Sequence, residues 1–380
     1  MEFPQAAVVG LGFMGRTHIQ CLRRLGVRVR GLLGVDGVEG EQADRELGVG
    51  QVYASVEDLL ADREVGVVHL CTPNHLHFPM ARAALRAGKH VICEKPLALN
   101  PDESVELVRL AEKSGLVAAV NYNLRYYPLV QDARARLQAG EAGEVRLIHG
   151  GYLQDWLCLS TDWNWRLEPE QGGELRVVAD IGTHWLDMVT WMTGLQVKAV
   201  MADLATFLPV RSKPAGAVET FSGKLRKPGP AKEVPIHTED AACILLAFSN
   251  GGRGTLVLSQ VSPGRKNYLW WEIDGSSASM RWDQESPNQL WIGFREQPNQ
   301  AVVKDPALMR PPARQFAGFP GGHAEGYSDT FLQLFRQVYT AARDGTAARQ
   351  DYPTFADGHQ ELLLCRAIQR SARERRWVEL

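Results

Sequence analysis

The segment Gly10-Leu11-Gly12-Phe13-Met14-Gly15 constrains this chain more than any other stretch. It follows a short apolar run, Ala6–Val9, and opens the segment Phe13–Leu25, whose Met14, Cys21, Leu22 and Leu25 fall along one helical stripe. Glycines placed between a strand and a helix meet three needs: a tight turn, close backbone approach to a pyrophosphate, and tight helix–strand contact. The helix N-terminus then presents N–H groups and a positive dipole end to phosphates. Chance glycines give the same pattern, so the context decides. Strand runs at Val27–Leu33, Val65–Cys71, His90–Cys93 and Val117–Val120 alternate with helix signals. Ser55-Val56-Glu57-Asp58 reads as a capped start carrying Leu59 and Leu60, Pro79 and Gly88 bracket a second helix, and Asp102–Ser114 is a third. Such alternation implies a parallel sheet covered on both faces, and with it dinucleotide binding.

Beyond Asn121 the strands follow one another: Val145–Leu153, Lys198–Thr206, Ala242–Phe248, Arg253–Gln260, Tyr268–Ile273 and Ser279–Trp282. Asn250-Gly251 and Asp274-Gly275 lie between them as hairpin signals. The chain therefore divides into residues 1–121, a nucleotide-binding domain, and 122–380, an α/β domain on a large, mostly antiparallel open sheet whose C-terminal helix packs back on the first. Ser212–Pro235, rich in Pro, Gly and Lys, reads as a surface excursion. A net charge of −2 over 380 residues gives no electrostatic reason for nucleic acid or an anionic membrane as partner. No apolar run approaches a membrane span, and the N-terminus lacks the basic-then-apolar pattern of a secretory signal. Six scattered cysteines without a Cys-x-x-Cys pair suit neither a disulfide framework nor a zinc site, so reducing cytoplasm is expected.

Four further places carry chemistry. Asp36 has the spacing of the acid that holds the ribose hydroxyls, although it follows Gly34 and also suits a plain turn; without that acid NADP stays open beside NAD. Cys71-Thr72-Pro73-Asn74-His75-Leu76-His77 ends a buried strand where ligands of open α/β sheets bind, and for His75 a helix-capping loop is the better reading. Glu94-Lys95-Pro96 follows the next buried strand, and an ammonium there stabilises developing oxygen charge or relays a proton; Pro96 in the cis form would aim Lys95. Past Gly172-Gly173, Asp180, His184 and Asp187 recur at i, i+4 and i+7 on one helix face, opposite Trp185, Met188, Val189 and Met192. A histidine so placed is a general base near neutral pH; a structural histidine or a metal ligand are the rival readings. Arg125 suits cofactor phosphate or substrate oxygens, the tryptophan rings of Trp163-Asn164-Trp165-Arg166 a sugar face or plain packing, and His323 is a further pocket candidate.

These motifs, in this order, resemble the glucose–fructose oxidoreductase/inositol dehydrogenase (Gfo/Idh/MocA) family over nearly the whole chain. The resemblance implies a Rossmann domain, an open-sheet α/β domain and assembly into homodimers or homotetramers through that sheet. It also implies a catalytic group made of Lys95, Asp180 and His184. Gln154-Asp155-Trp156 and Trp163-Asn164-Trp165-Arg166 look like the sugar-acting subgroup, which includes anhydrosugar and inositol dehydrogenases. The expected activity is hydride transfer between NAD or NADP, NAD being preferred, and a hydroxyl or carbonyl carbon of a sugar or polyol. His184 acts as acid/base, Lys95 stabilises the alkoxide and Asp180 orients. The expected cofactor set is Gly10, Gly12, Phe13, Met14, Gly15, Asp36, Thr72, Pro73, Asn74, His77, Glu94, Lys95, Trp165 and Arg166. The substrate set is Asn123, Arg125, Tyr126, Asp155, Trp163 and His323, with no metal. Two other readings stay open: a non-catalytic dinucleotide-binding regulator, and a glycosidase that uses bound NAD transiently.

Overall fold

Short apolar runs separated by polar helices build a five-stranded, wholly parallel sheet in the first part of the chain. Its strands are β1 (Gln5–Val9), β2 (Val29–Leu33), β3 (Val65–Leu70), β4 (His90–Cys93) and β5 (Ala118–Val120), ordered β2-β1-β3-β4-β5. A parallel bridge from Val52 to Leu32 adds a rudimentary strand beyond β2. With it the order is that of a doubly wound dinucleotide-binding sheet, whose direction reverses between β1 and β3. This computed structural model describes residues 2–216, 218, 229–347 and 351–380.

Helices α1 (Phe13–Leu25), α2 (Gly37–Leu47), α3 (Val56–Ala61), α4 (His77–Arg86) and α5 (Pro101–Ser114) connect the strands. Ser55 caps α3 by accepting from the Asp58 amide, and Asn100 caps α5 by accepting from Glu103, each satisfying an N–H that the helix leaves over. Sequence periodicity did not mark α2, which has one strong apolar anchor, Ala43.

The chain forms two units by its internal contacts. The first gathers Met1–Asn123, Asn164–Glu174 and Phe331–Leu362, and the second Leu124–Trp163, Leu175–Thr330 and Leu363–Leu380. In the second, a nine-stranded sheet runs β15-β14-β13-β12-β6-β11-β10-β7-β16. Its members in chain order are β6 (Val145–Leu153), β7 (Val197–Ala205), β10 (Ala241–Phe248), β11 (Arg253–Ser259), β12 (Tyr268–Gly275), β13 (Ser279–Asp283), β14 (Gln289–Gly293), β15 (Gln300–Val303) and β16 (Val378–Glu379). All neighbours are antiparallel except β6 and β11. Strand alternation gives the sheet one face packed on Trp271, Trp282, Leu256 and Leu258. The other face exposes Leu147, Met201, Leu245 and Val257 by 38, 37, 45 and 45%.

Within the expected surface excursion, residues 217 and 219–228 lie outside the described residues; the flanks form a hairpin of β8 (Val210–Pro214) and β9 (Ala231–Pro235). Among the described residues no helix is long and apolar enough to cross a membrane.

Candidate active site

The glycine turn lies where β1 and β3 end side by side. Gly10 has φ +86°, and a Cβ there would stand 2.7 Å from the Cys71 carbonyl oxygen. Only glycine fits. A Cβ on Gly15 would stand 1.9 Å from the Gly10 carbonyl, so α1 packs hard against the turn. Gly12 differs: it is the N-cap of α1, no side chain caps the helix, and nothing lies within 4 Å of an added Cβ. The first turn of α1 has no acidic residue, and Phe13 is exposed beside it while Met14 is half-buried. An uncapped helix end facing open space, with no carboxylate to repel an anion, fits the pyrophosphate of a dinucleotide.

At the end of β2 the structure gives Asp36 a capping role. The strand stops at Leu33, and Asp36 is the N-cap of α2, accepting from the Glu39 amide at 2.8 Å. Glu39 reaches back to accept from the Val35 amide at 2.7 Å, and its carboxylate fills the space a side chain on Gly34 would take. This resembles a capping box displaced by one residue, since Glu39 takes the Val35 amide and not that of the N-cap; its Asp36-x-x-Glu39 spacing is readable in the sequence but was missed. Asp36 thus uses one carboxylate oxygen to start a helix.

Past β3, Thr72 and Pro73 lead into a 3-10 turn, Asn74–Leu76. Asn74 is buried and donates to the Gly172 carbonyl at 2.8 Å, tying this loop to the Pro169–Gly172 turn. His77 needs correction as a ligand-facing group. It is 0% exposed, with Nδ1 2.7 Å from the Pro96 carbonyl and Nε2 2.9 Å from the Thr72 carbonyl. Both ring nitrogens are used in joining two loops.

The turn after β4 carries Lys95, and the Lys95–Pro96 peptide is cis. Glu94 is buried beside it, accepting from His18 Nε2 at 3.1 Å, from Asn121 Nδ2, and from the Lys95 amide at 3.3 Å. Burial pushes the Glu94 carboxyl up, but the His18 hydrogen bond, the Lys95 charge and the Asn121 hydrogen bond outweigh it and hold it below its ordinary value. Lys95 itself is half-buried. In the same unit, the Arg166 guanidinium lies over the Trp165 ring, 4.3 Å from its centroid, and donates to Asn164 Oδ1 at 3.1 Å. Asn123 is buried at the start of a 3-10 turn.

In the second unit Asp180 and His184 lie on consecutive but different helical forms. Val178–Gly182 is a π-helix, and the α-helix begins at Thr183 and runs to Thr193. The expected run of Asp180, His184 and Asp187 along a single α-helix is therefore modified: Asp180 belongs to a wider π turn that precedes the α-helix carrying His184 and Asp187. Glu239 holds the start of this segment by accepting from the Arg176 and Val178 amides at 2.9 and 3.0 Å. Asp180 is half-buried and accepts from Gln260 Nε2 at 2.7 Å. His184 is 8% exposed, with the Tyr152 ring 6.4 Å away. Trp185, Met188, Val189 and Met192 are buried, as the apolar stripe requires.

Asp187 and Arg125 belong to the core instead. Arg125 Nε donates to Asp187 at 2.7 Å, Nη2 donates to its other oxygen, and both residues are buried. The guanidinium also lies 5.3 Å from the Trp191 ring. Arg125 as a ligand for phosphate or substrate is corrected on that ground, since a bidentate buried pair leaves its fork committed. Tyr126 packs on Phe316, Asp155 pairs with Lys266, and Lys213 lies over the Trp163 ring. His323 is exposed, with Nδ1 3.3 Å from the Gly321 carbonyl. Sequence reasoning missed Tyr152 and Gln260. Tyr152 Oη donates to Asn267 Oδ1 at 2.6 Å, and Gln154 Nε2 donates to the same atom at 2.8 Å. No local motif marks that cluster, because β6, β11 and the loop before β12 bring it together.

An uncapped glycine turn on a doubly wound sheet, joined to a separate unit built on an open sheet, defines a dinucleotide-binding oxidoreductase. Residues 5–122 match the oxidoreductase family, NAD-binding Rossmann fold, and residues 130–281 match the GFO/IDH/MocA C-terminal domain. The chain belongs to that family, and its first unit holds the NAD-binding Rossmann domain. Levoglucosan dehydrogenase of Pseudarthrobacter phenanthrenivorans is 29% identical over 400 residues, covering 100% of this chain and 99% of its own. A solved levoglucosan dehydrogenase complex with NADH and L-sorbose superposes with a TM-score of 0.88 at 28% identity, covering 100 and 99% of the two chains. An inositol dehydrogenase homologue from Azotobacter vinelandii complexed with NAD+ gives 0.86 at 27% identity, covering 100 and 98%.

Proposed function

We propose that the protein oxidises an alcohol carbon of a sugar, anhydrosugar or inositol, or reduces the matching carbonyl, with NAD as the redox partner. The observation that carries this reading is the Glu94-Lys95-Pro96 turn. It stands at the carboxyl end of β4, in the row of strand ends that also holds Gly10 and Thr72. Ligands of open α/β sheets bind outside that row. The full-length likeness to a levoglucosan dehydrogenase and an inositol dehydrogenase homologue supports the substrate class.

The Gly10–Gly15 turn and the N–H groups of α1 bind the phosphates. When bound, the nicotinamide supplies the hydride acceptor or donor. Lys95 stabilises negative charge on the reacting oxygen, and His184 takes the hydroxyl proton in oxidation and returns it in reduction. Asp180, steadied by Gln260, orients the histidine or a substrate hydroxyl. In this scheme residues 1–121 are the nucleotide-binding domain and 122–380 the substrate domain. The exposed Leu147, Leu245 and Val257 support pairing of copies through the sheet's open face. Six cysteines, none of them in a disulfide, fit a reducing compartment such as the cytoplasm.

A screen of NAD and NADP against inositols, aldoses and anhydrosugars, read at the reduced-nicotinamide absorbance, tests the reading. Turnover with at least one polyol supports it. Tight cofactor binding without turnover points to a regulator, and cleavage of a chromogenic glycoside without net NADH points to a glycosidase.

A further inference from the structure

Beneath the Glu94–Lys95 turn, three buried polar side chains with no part in the mechanism above form a chain inside the first unit. Tyr339 Oη lies 2.9 Å from His69 Nε2, His69 Nδ1 lies 3.0 Å from His18 Nδ1, and His18 Nε2 lies 3.1 Å from Glu94 Oε1. Tyr339, His69 and His18 are 0% exposed, and Phe331 and Phe335 pack edge-on against the imidazoles. Groups this deep satisfy one another.

With neutral rings the chemistry admits one arrangement. An ionised Glu94 only accepts, so His18 Nε2 donates to it. His18 Nδ1 then accepts, which obliges His69 Nδ1 to donate. His69 Nε2 is left as an acceptor for the Tyr339 hydroxyl. Burial holds the His69 imidazole well below its ordinary value and pushes the Tyr339 hydroxyl up, so both stay neutral. Every donor in the chain therefore points the same way, toward the carboxylate, and bonds aligned head to tail polarise one another.

We propose that His18 and His69 are positioning residues for Lys95: neutral imidazoles in a one-way chain from Tyr339 that hold Glu94 in place, and through it the backbone amide of Lys95. This rests on the reading of Lys95 as the group that stabilises the substrate oxygen. The other groups near Glu94 come from neighbouring elements and do not replace its charge. Burial holds Cys71 and Cys93 as thiols and pulls the His77 imidazole down. Cys71 Sγ also lies 3.3 Å from His18 Nδ1, on the acceptor side of that ring.

Long-range proton–nitrogen spectra of the full-length protein labelled at histidine nitrogens read the tautomers directly, with His18→Gln and His69→Gln assigning the signals. The expected result is His18 protonated at Nε2 alone and His69 at Nδ1 alone near neutral pH. The opposite tautomers, or a doubly protonated His18, overturn the proposal. In steady-state kinetics, His18→Leu and His69→Leu lower kcat about tenfold or more. They also move the acidic limb of its pH profile up by roughly half a unit or more, as Glu94 loses the His18 donor in the first and His18 loses its own donor in the second. The dissociation constant for NADH stays within about twofold. His18→Gln, which keeps a donor, recovers most of the rate. If the leucine variants do not fold, Tyr339→Phe tests the same chain from its far end and moves the limb in the same direction. An acidic limb unmoved in every folded variant overturns the proposal. Wild-type turnover in Lys95→Ala sinks the reading of Lys95 instead, and leaves the tautomer result to stand or fall alone.

Discussion

Three glycines of the first helix separate cofactor contact from folding. Gly15→Ala places a Cβ 1.9 Å from the Gly10 carbonyl oxygen, a contact that real Cβ atoms do not make below 3.0 Å. The turn and α1 therefore part by at least about 1 Å, an overpacking worth about 1–3 kcal/mol. The displaced atoms are the ones proposed to hold the phosphates. NADH binding is expected to weaken by a similar free energy, roughly 5- to 150-fold, alongside a lower urea midpoint. Gly12→Ala meets nothing within 4 Å, and its backbone, φ −68° and ψ −164°, is open to alanine. Its stability cost stays below about 1 kcal/mol, yet its methyl enters the space in front of the helix end, so binding falls tenfold or more by rough estimate. Gly26→Ala, at φ +78° on the far end of α1, costs about 1–2 kcal/mol of stability and leaves binding unchanged. Fluorescence titration with NADH and urea unfolding of the three variants check this. Wild-type binding in Gly12→Ala, or a loss in Gly26→Ala equal to that in Gly15→Ala, refutes the assignment of the turn.

Lys304 is buried with Glu325 at 2.8 Å, so Lys304→Met strands a carboxylate and lowers unfolding free energy by about 3–5 kcal/mol in urea. Glu239 and Asp240 respond to acid with opposite sign. Burial pushes Asp240 up, but Arg176 and Arg211 outweigh it and hold it below its ordinary value. Its stabilisation is present at neutral pH and is lost as pH falls below the usual carboxylate range. Burial raises Glu239 despite the amides of Val178 and Arg176, so its contribution is present in acid and lost as pH rises through the raised value. Asp240→Asn is therefore expected to lower the melting temperature at neutral pH, and Glu239→Gln to leave it level or raise it, by scanning calorimetry at both pH extremes. Val257→Glu, on the open sheet face, is expected to shift the protein to a smaller species in sedimentation velocity without lowering its melting temperature in dilute solution.

Local chemistry was legible where the constraint is local. The glycine turn, the capped start at Ser55, the cis-capable Lys95–Pro96 and the strand ends at Thr72 and Glu94 all follow from neighbours within a few residues. At Asp36 the spacing of a ribose-binding acid and the spacing of a helix cap coincide, and the cap is the role its hydrogen bond to the Glu39 amide displays. Asp187 and Arg125 misled. Polar residues on an amphipathic helix look solvent- or ligand-facing, whereas a bidentate partner 62 positions away lets both enter the core. The π turn at Asp180 depends on Glu239, which holds amides 61 and 63 positions earlier, so periodicity alone does not disclose it. The chain from Glu94 to Tyr339 spans contacts up to 270 residues apart and leaves no spaced pattern.

The most direct test of the account is the turnover of His184→Gln with whichever polyol the wild type oxidises, beside its affinity for NADH. The account predicts a kcat lower by about 10²–10⁴-fold with NADH binding within about twofold, since the imidazole moves a proton and does not hold the dinucleotide. A variant that turns over at the wild-type rate, or one that loses NADH in proportion to activity, contradicts it.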